Sequence, residues 1–390
     1  MVSFLLDNVG RALLYGFDMF WQVLWPLSLG FLLSALVETV IPKRSIERAL
    51  GRDSAQAVVV ASALGAASSS CSYASVAVAR SLFRKGATFG NAIIFEFAST
   101  NLVIELGLIL FVLLGWQFLV GELSGGVVMI VVLTLIFRFT LRKRLVDQAR
   151  AQAEKGLRGK MEGHGAMDMS VTEGPFLRRL FSARAFTGIG QYYFMNLASL
   201  WTDLLIGFLV SGALAAWVPD SVWSSLFLTD HGAVSNVWGA FVGPLVSVFA
   251  FVCSVGNVPL AAVLWRGGIS FGGAIAFIFA DLIIIPILNI YRKYYGWRVM
   301  VYLLVVSYVA MVAAGLAIGV SFDALHLVPT NRAVTVFQDR PQWDYTTFLN
   351  IGFLVLSAIL GIRFLRTGGM EMLQMMEMAP EEMAHQHSHA

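Results

Sequence analysis

Long apolar stretches separated by short polar segments run along most of the chain. A helix needs about 20 apolar residues to cross the hydrocarbon core of a bilayer, and several of these stretches reach that length. The pattern predicts membrane-spanning helices with the approximate bounds Phe17–Ile41, Gly90–Trp116, Gln117–Leu141, Gln191–Pro219, Gly272–Tyr291, Val299–Val320 and Tyr345–Leu365.

Two further apolar stretches are interrupted by small polar residues. Gln56–Phe83 contains a break of serines around Cys71, and Val237–Trp265 contains a second break that begins at Cys253. Non-helical backbone at membrane depth is tolerated only where it is buried in protein or lines a wet cavity. Each break therefore predicts a re-entrant hairpin that enters and leaves the membrane on one side. Two full spans per interrupted stretch would keep the same overall topology and remain an alternative.

The two breaks belong to an internal repeat. Residues 71–98 and 253–280 align without a gap, and about half of the aligned positions are identical. The identical pairs are Cys71/Cys253, Ser72/Ser254, Val76/Val258, Ala79/Ala261, Leu82/Leu264, Arg84/Arg266, Gly86/Gly268, Phe89/Phe271, Gly90/Gly272, Ala92/Ala274, Ile93/Ile275, Phe95/Phe277, Phe97/Phe279 and Ala98/Ala280.

The distribution of basic residues predicts the orientation, since short cytoplasmic loops collect Lys and Arg. Basic residues cluster in 43–52, 142–184 and 292–298, whereas the loops near 116–124 and 220–236 contain none. All five segments lie on their expected sides of the membrane only if the first span of the second repeat crosses in the direction opposite to the first span of the first repeat. Inverted repeats with broken helices that meet at the bilayer midplane are typical of secondary transporters.

The fold prediction is an all-α polytopic membrane protein with two inverted repeats, broken or re-entrant helices and one extra C-terminal span. We expect five regions: a first membrane repeat (1–141), a basic cytoplasmic loop (142–190), a second membrane repeat (191–321), an outer loop with the last span (322–366), and a Met/His-rich cytoplasmic tail (367–390).

Composition agrees with a membrane protein. Hydrophobic residues make up 58% of the chain and charged residues 13%, whereas soluble domains carry about 25% charged residues. The lipid bilayer, here the cell inner membrane, is thus the expected partner, and the net charge of +3 gives no reason to expect nucleic acid. We expect no cofactor, and the oligomeric state stays open.

The breaks hold the candidate substrate-binding residues. Cys71 and Cys253 are the only cysteines in the chain, and a thiolate is a soft ligand that suits soft metals and metalloids. Buried packing by both thiols is the alternative. Hydroxyl and amide groups beside the cysteines complete the predicted site, which comprises Ser70, Cys71, Ser72, Cys253, Ser254 and Asn257.

Polar residues inside the apolar spans are candidates for coupling transport to an ion gradient. Glu96, Glu105 and Asp281 lie in such spans, as does the amide of Asn101. An ionisable group at membrane depth is energetically costly, so its presence there indicates a functional role. Pairing with a cation or capping of a broken helix is the structural alternative.

The C-terminal tail is rich in methionine and histidine. Thioether and imidazole groups suit soft metal ions, so the tail is a candidate metal-binding segment through Met375, Met376, His385, His387 and His389. The alternative is an amphipathic helix whose methionines form one face.

The motifs around the first break resemble a known family. The stretch from Cys71-Ser72 to Phe95-Glu96-Phe97-Ala98-Ser99-Thr100-Asn101 is similar to the predicted permeases that include the organoarsenical efflux permease ArsP, as is Gly256-Asn257-Val258-Pro259. Members of that family typically carry Cys-Ser-Cys-x-x-x-Pro at the first break. In this chain Tyr73 stands in place of the second cysteine and Ala77 in place of the proline.

The resemblance implies a permease rather than an enzyme, and no Cys-x-x-Cys motif of a thiol enzyme is present. We expect export of a soft inorganic or organometalloid species through a midplane site. The alternatives are transport of a small anion or organic solute, and a membrane thiol or metal-handling protein without transport.

Overall fold

The computed structural model describes residues 2–40, 50–68, 72–84, 86–153, 182–229, 232–250, 254–332, 343 and 345–375. These ranges are helical between short turns. The helices are α1 (Val2–Val40), α2 (Ala55–Ser68), α3 (Ser72–Arg84), α4 (Phe89–Asn101), α5 (Ile104–Leu114), α6 (Trp116–Thr140), α7 (Lys143–Ala153), α8 (Ala183–Trp217), α9 (Asp220–Phe227), α10 (Ala233–Ala250), α11 (Ser254–Arg266), α12 (Phe271–Ile278), a 3-10 turn (Phe279–Leu282), α13 (Ile285–Tyr295), α14 (Trp297–Ala324), α15 (Tyr345–Arg366) and α16 (Gly369–Met375).

Several of these elements are long and apolar enough to cross a membrane. Within the described ranges they are Phe89–Leu114, α6, α14 and α15, with a fifth if the bent pair Phe271–Leu282 and Ile285–Tyr295 forms one span. The sequence predicts one further span within each of α1 and α8, which have 39 and 35 residues. The chain is therefore an all-α, multi-pass membrane protein, as predicted.

Both predicted breaks coincide with helix ends. α2 ends at Ser68 and α3 begins at Ser72, whereas α10 ends at Ala250 and α11 begins at Ser254. At 1.5 Å per residue, α2 and α3 are only about 20 Å long, which is shorter than the roughly 30 Å hydrocarbon core. These lengths favour a re-entrant hairpin at the first break, whereas α10 at the second break has 18 residues and is about 27 Å long.

The spans that follow the two breaks lie where the sequence predicts them, and each is itself interrupted once. The predicted bounds are Gly90–Trp116 and Gly272–Tyr291. The structure interrupts the first span at Leu102–Val103 and the second at Ile283–Ile284. The two halves of the second span meet at 41°.

Local chemistry accounts for both interruptions. The side chains of Ser99, Thr100 and Asn101 donate hydrogen bonds back to carbonyls of their own helix, which competes with continuation of the backbone ladder. In the second span, Pro286 occupies the first turn of α13. Proline has no N–H to donate, so it favours the start of a new helix over continuation of the old one.

The turn after each hairpin repeats the same local geometry. Gly86 and Gly268 adopt φ of 110° and 106°, a conformation that glycine reaches without strain. Each glycine ends its helix with the same pair of backbone hydrogen bonds. Thr88 and Ser270 then cap the next helix by accepting from the backbone N–H three residues on. The sequence repeat is thus also a repeat of caps and turns.

Helix packing is also repeated. The pairs α2–α4, α3–α4, α4–α6 and α5–α6 of the first half correspond to α10–α12, α11–α12, α12–α14 and α13–α14 of the second. Across the halves, α5 packs on α11 and α3 packs on α13. The two halves therefore exchange equivalent contacts, while their inversion across the membrane stays a prediction.

Close helix crossings depend on glycine. A Cβ atom on Gly272 of α12 would lie 2.3 Å from the carbonyl oxygen of Gly315 on α14. A Cβ atom on Gly212 of α8 would lie 2.3 Å from the Ala12 carbonyl oxygen on α1. Small residues at such crossings let backbones approach, which is how helices associate in lipid.

Two polar segments differ from the sequence prediction. The charged residues of Asp147–Lys160 predict a helix, and the structure has one that begins earlier, at Lys143, and is described as far as Ala153. The rest of the basic loop up to residue 181 lies outside the described residues. The segment 220–236 was predicted as a loop but contains α9. Trp223 and Phe227 lie one helical turn apart and are both buried, so the segment buries an aromatic face.

Candidate functional site

The two breaks meet through their serines. Ser72 begins α3 and Ser254 begins α11, and both side chains are buried. The backbone N–H of Ser254 donates to Ser72 Oγ at 3.2 Å, and the two Oγ atoms lie 3.5 Å apart. Equivalent residues of the two repeats are thus in direct contact, with two helix N-termini at one place. Such termini expose unpaired N–H groups that attract negative charge.

A carboxylate lies at this contact. The hydroxyl of Ser72 donates to Asp281 Oδ2 at 2.7 Å. Asp281 belongs to the 3-10 turn just before the break in the second span, and its side chain has no exposed surface. Asn101, which precedes the break in the first span, lies beside the same carboxylate. The helices that follow both breaks and both interrupted spans therefore converge on Asp281.

A second buried carboxylate belongs to the same group. The Tyr291 hydroxyl on α13 donates to Glu96 Oε1 on α4, and Glu96 Oε2 is buried with no hydrogen-bond partner among the described residues. A negative charge on Asp281 opposes a negative charge on Glu96. Tyr295, one turn beyond Tyr291, also lies near Glu96, and its hydroxyl is buried. Acids and tyrosines thus extend from Asp281 along α13.

Two predicted residues lie further from this contact. Asn257, about one turn along α11 from Ser254, donates to Ser247 Oγ of α10 at 3.2 Å. That bond ties the two arms of the second hairpin together. Glu105 is buried in the first turn of α5, beyond the break in the first span.

Comparison with known proteins identifies the family. The sequence pattern of the predicted permease family matches residues 10–320 of the chain. The chain belongs to that family. A Mycobacterium tuberculosis protein named "Putative permease Rv2963" is 54% identical over 343 residues, which cover 88% of this chain and 84% of that protein. No solved structure matches the permease significantly.

Several predicted site residues of the permease lie outside the described residues. They are Ser70, Cys71, Cys253, Met376, His385, His387 and His389. Met375 ends α16, and its side chain is not described. Earlier in the same helix, Met372 is buried against the core, which favours the helical interpretation for the described part of the tail. Within the described ranges, no group of three His, Cys, Asp or Glu residues is arranged to hold a metal ion.

The sequence analysis missed Glu122 and Tyr291. Glu122 lies in α6 and is 1% exposed. An acid inside an apolar span is itself a signal of function, so Glu122 could have been found from the sequence. Tyr291 could not, because tyrosine is common near membrane interfaces and its contact with Glu96 joins residues 195 positions apart.

The balance of charge around Asp281 and Glu96 determines what these buried carboxyl groups can bind. Among the described residues, the buried basic side chain is that of Arg80, whose guanidinium donates to the Ala153 carbonyl at 2.8 Å and lies over the Tyr294 ring. Buried carboxylates that lack a cation carry a large desolvation penalty when charged. The group is therefore suited to take up a proton or a cationic substrate.

Proposed function

We propose that the permease exports a soft metal or metalloid species through a midplane site between its two Cys-Ser breaks. The contact that joins Ser72, Ser254 and Asp281 carries this proposal. Each serine directly follows one of the two cysteines in the sequence. The contact thus links the only two thiol-bearing segments of the chain.

Residue chemistry supports a soft substrate. Thiolates prefer soft ions, and hydroxyl groups at the breaks offer further ligands for a polar species. A small anion is the weaker candidate, because Asp281 accepts a hydrogen bond at the same contact and Glu96 lies near it. Like charges in a buried site oppose one another.

Broken helices support a transport path. Irregular backbone at membrane depth lines substrate and ion sites in transporters that are built from repeats. Both halves of the permease contain a hairpin and an interrupted span, and these elements meet at Ser72 and Asp281. Repacking of one half against the other would open this group to one side at a time.

Transport into sealed, everted membrane vesicles tests the substrate class. We expect accumulation of arsenite, an organoarsenical, antimonite or a soft divalent ion such as Cd²⁺, and sensitivity of a deletion strain to the same compound. The Cys71→Ser and Cys253→Ser variants should each lower the rate by on the order of tenfold, the equivalent of about 1.4 kcal/mol of lost interaction. Ser62→Ala is the matched control, because Ser62 of α2 donates to the Val58 carbonyl of its own helix. Normal transport by the double cysteine variant would remove the thiols from the mechanism.

Cross-linking tests the arrangement of the breaks. A short bifunctional thiol reagent should join Cys71 to Cys253, because the serines that follow them are in contact. A transported substrate should protect both thiols from a small permeant thiol reagent. Absence of both the cross-link and the protection would contradict the midplane site.

A further inference from the structure

Glu122 is a buried acid that the proposed substrate site does not use. It belongs to α6, and both of its carboxylate oxygens are buried with no hydrogen-bond partner in the part of the chain that the structure describes. A carboxylate in such a place loses its hydration without compensation if it is charged. A proton on the group removes most of that penalty.

The face of α6 beside Glu122 packs against both broken spans. A Cβ atom on Gly125 would lie 2.9 Å from the Phe279 ring of the 3-10 turn, and one on Gly126 would lie 3.3 Å from the Asn101 carbonyl oxygen. Both glycines are about one helical turn from Glu122. Glu122 is therefore adjacent to the region where the two interruptions meet.

Its electrostatic neighbour is Asp281. Among the elements packed on α6, α4 carries Glu96, α5 carries Glu105, and the described buried faces of α12 and α14 are formed by apolar and small residues. The 3-10 turn that carries Asp281 reaches α6 through Phe279, which lies against Gly125. The Arg138 side chain of α6 itself is exposed at the far end of the helix. A negative charge on Asp281 opposes a negative charge on Glu122 and on Glu96.

The three acids lie at different depths on the predicted topology. Glu122 is six residues, or about 9 Å, from the outer end of α6. Glu96 is seven residues, or about 10 Å, from the cytoplasmic end of α4. Asp281 lies at the break between α12 and α13. The order from outside to inside is Glu122, Asp281, Glu96.

We propose that Glu122 is a proton-binding group on the outer side of Asp281 and that the three carboxyl groups form the path of a coupling proton. The proposal deepens the proposed function and rests on it for the direction of transport. A proton from the outer solution binds a Glu122 oxygen. It leaves that oxygen for the Asp281 carboxylate, and then reaches Glu96 beside Tyr291 on the cytoplasmic side. One O–H bond breaks for each one that forms, and no other reactant is needed.

Infrared spectroscopy of the purified permease tests the protonation of Glu122 without any substrate. The wild type should show the carbonyl stretch of a protonated carboxylic acid at neutral pH, with a shift in D₂O. Glu122→Gln should lose a component of that band. Asp323→Asn is the matched control, because Asp323 is exposed at the end of α14. An unchanged band in Glu122→Gln would overturn the proposal.

Two additions keep the test decisive if Glu122→Gln is poorly produced. Glu122→Asp retains a carboxyl group and should shift the band rather than remove it. In the wild type, a lipophilic carbodiimide should add to the protonated Glu122 carboxyl to give a stable acylurea, which peptide mass spectrometry detects. Absence of the adduct together with an unshifted band in Glu122→Asp would refute the assignment.

A transport experiment separates this proposal from the proposed function. With a transported substrate, acidification of the outer side should accelerate export by the wild type. Glu122→Gln should lose that acceleration but keep substrate exchange in the absence of a gradient. If no soft species is transported, the proposed function fails while the infrared result still decides the protonation of Glu122. If transport holds and its response to outer pH survives in Glu122→Gln, the proton path fails alone.

Discussion

Asp281 shows how a single side chain can unite two halves of a membrane protein. Its carboxylate accepts a hydrogen bond from Ser72, which is 209 positions away in the other repeat. A negative charge on Asp281 also opposes a negative charge on Glu96 and on Glu122. The acid was predictable from its place in an apolar span, whereas its partners were not, because helix periodicity carries no information on contacts between distant segments.

Substitution of the acids separates coupling from binding. We expect Asp281→Asn and Glu96→Gln to fold and to retain substrate exchange, because the amide keeps the shape of the carboxyl group but cannot carry the proton. Gradient-driven accumulation should fall to the level of vesicles that lack the permease.

Exposed Asp53→Asn serves as the control for these variants. Loss of the folded protein in both acid variants would favour a structural role for the carboxylates. Transport with an unchanged dependence on pH would exclude these acids from coupling.

At the scale of elements, each hairpin is held by an arginine in the segment after the last span of its repeat. The Arg150 guanidinium donates to the Phe83 carbonyl and lies 4.3 Å from the centre of its ring. The Arg332 guanidinium donates to the Trp265 carbonyl and lies 4.2 Å from the centre of that ring. Phe83 and Trp265 are equivalent in the repeat. Burial lowers the pKa of the Arg332 guanidinium, but this group stays charged at neutral pH.

Removal of either arginine should loosen the corresponding hairpin. Arg150→Gln and Arg332→Gln should each lower the free energy of unfolding by about 1–2 kcal/mol, from one charge-assisted hydrogen bond and one cation–π contact. Faster hydrogen exchange is expected at 84–88 in the first variant and at 266–270 in the second. Arg144→Gln, an exposed change on α7, is the control. Equal exchange at both turns in all three variants would show that the contacts do not hold the hairpins.

At the scale of the whole molecule, the arrangement consists of two similar halves with α15 outside them. α15 packs on α1 and α8, the first helices of the two halves, and most of its surface is left for lipid. This placement agrees with the predicted extra span. The contacts exchanged between α5 and α11 and between α3 and α13 are those expected of two halves related by an approximate two-fold axis.

The orientation of these halves is testable by labelling. Single cysteines introduced into a background without Cys71 and Cys253 should react with an impermeant thiol reagent in intact cells at 220–236. Positions in 142–184 and after Arg366 should react only in broken cells, because Lys and Arg concentrate on the cytoplasmic side. Labelling of 142–184 in intact cells would contradict the inverted-repeat interpretation.

The sequence by itself determined the class of protein, the approximate spans, the repeat, the two breaks, and the buried acids Glu96 and Asp281. Each depends on local composition or on comparison of the chain with itself. Tertiary structure decided the rest. It interrupted the spans at Leu102–Val103 and Ile283–Ile284, and brought Ser72, Ser254 and Asp281 together. It also left Glu122 buried beside the acids. These features depend on which helices pack together, and packing between segments some 200 residues apart follows from shape and close approach rather than from any local pattern.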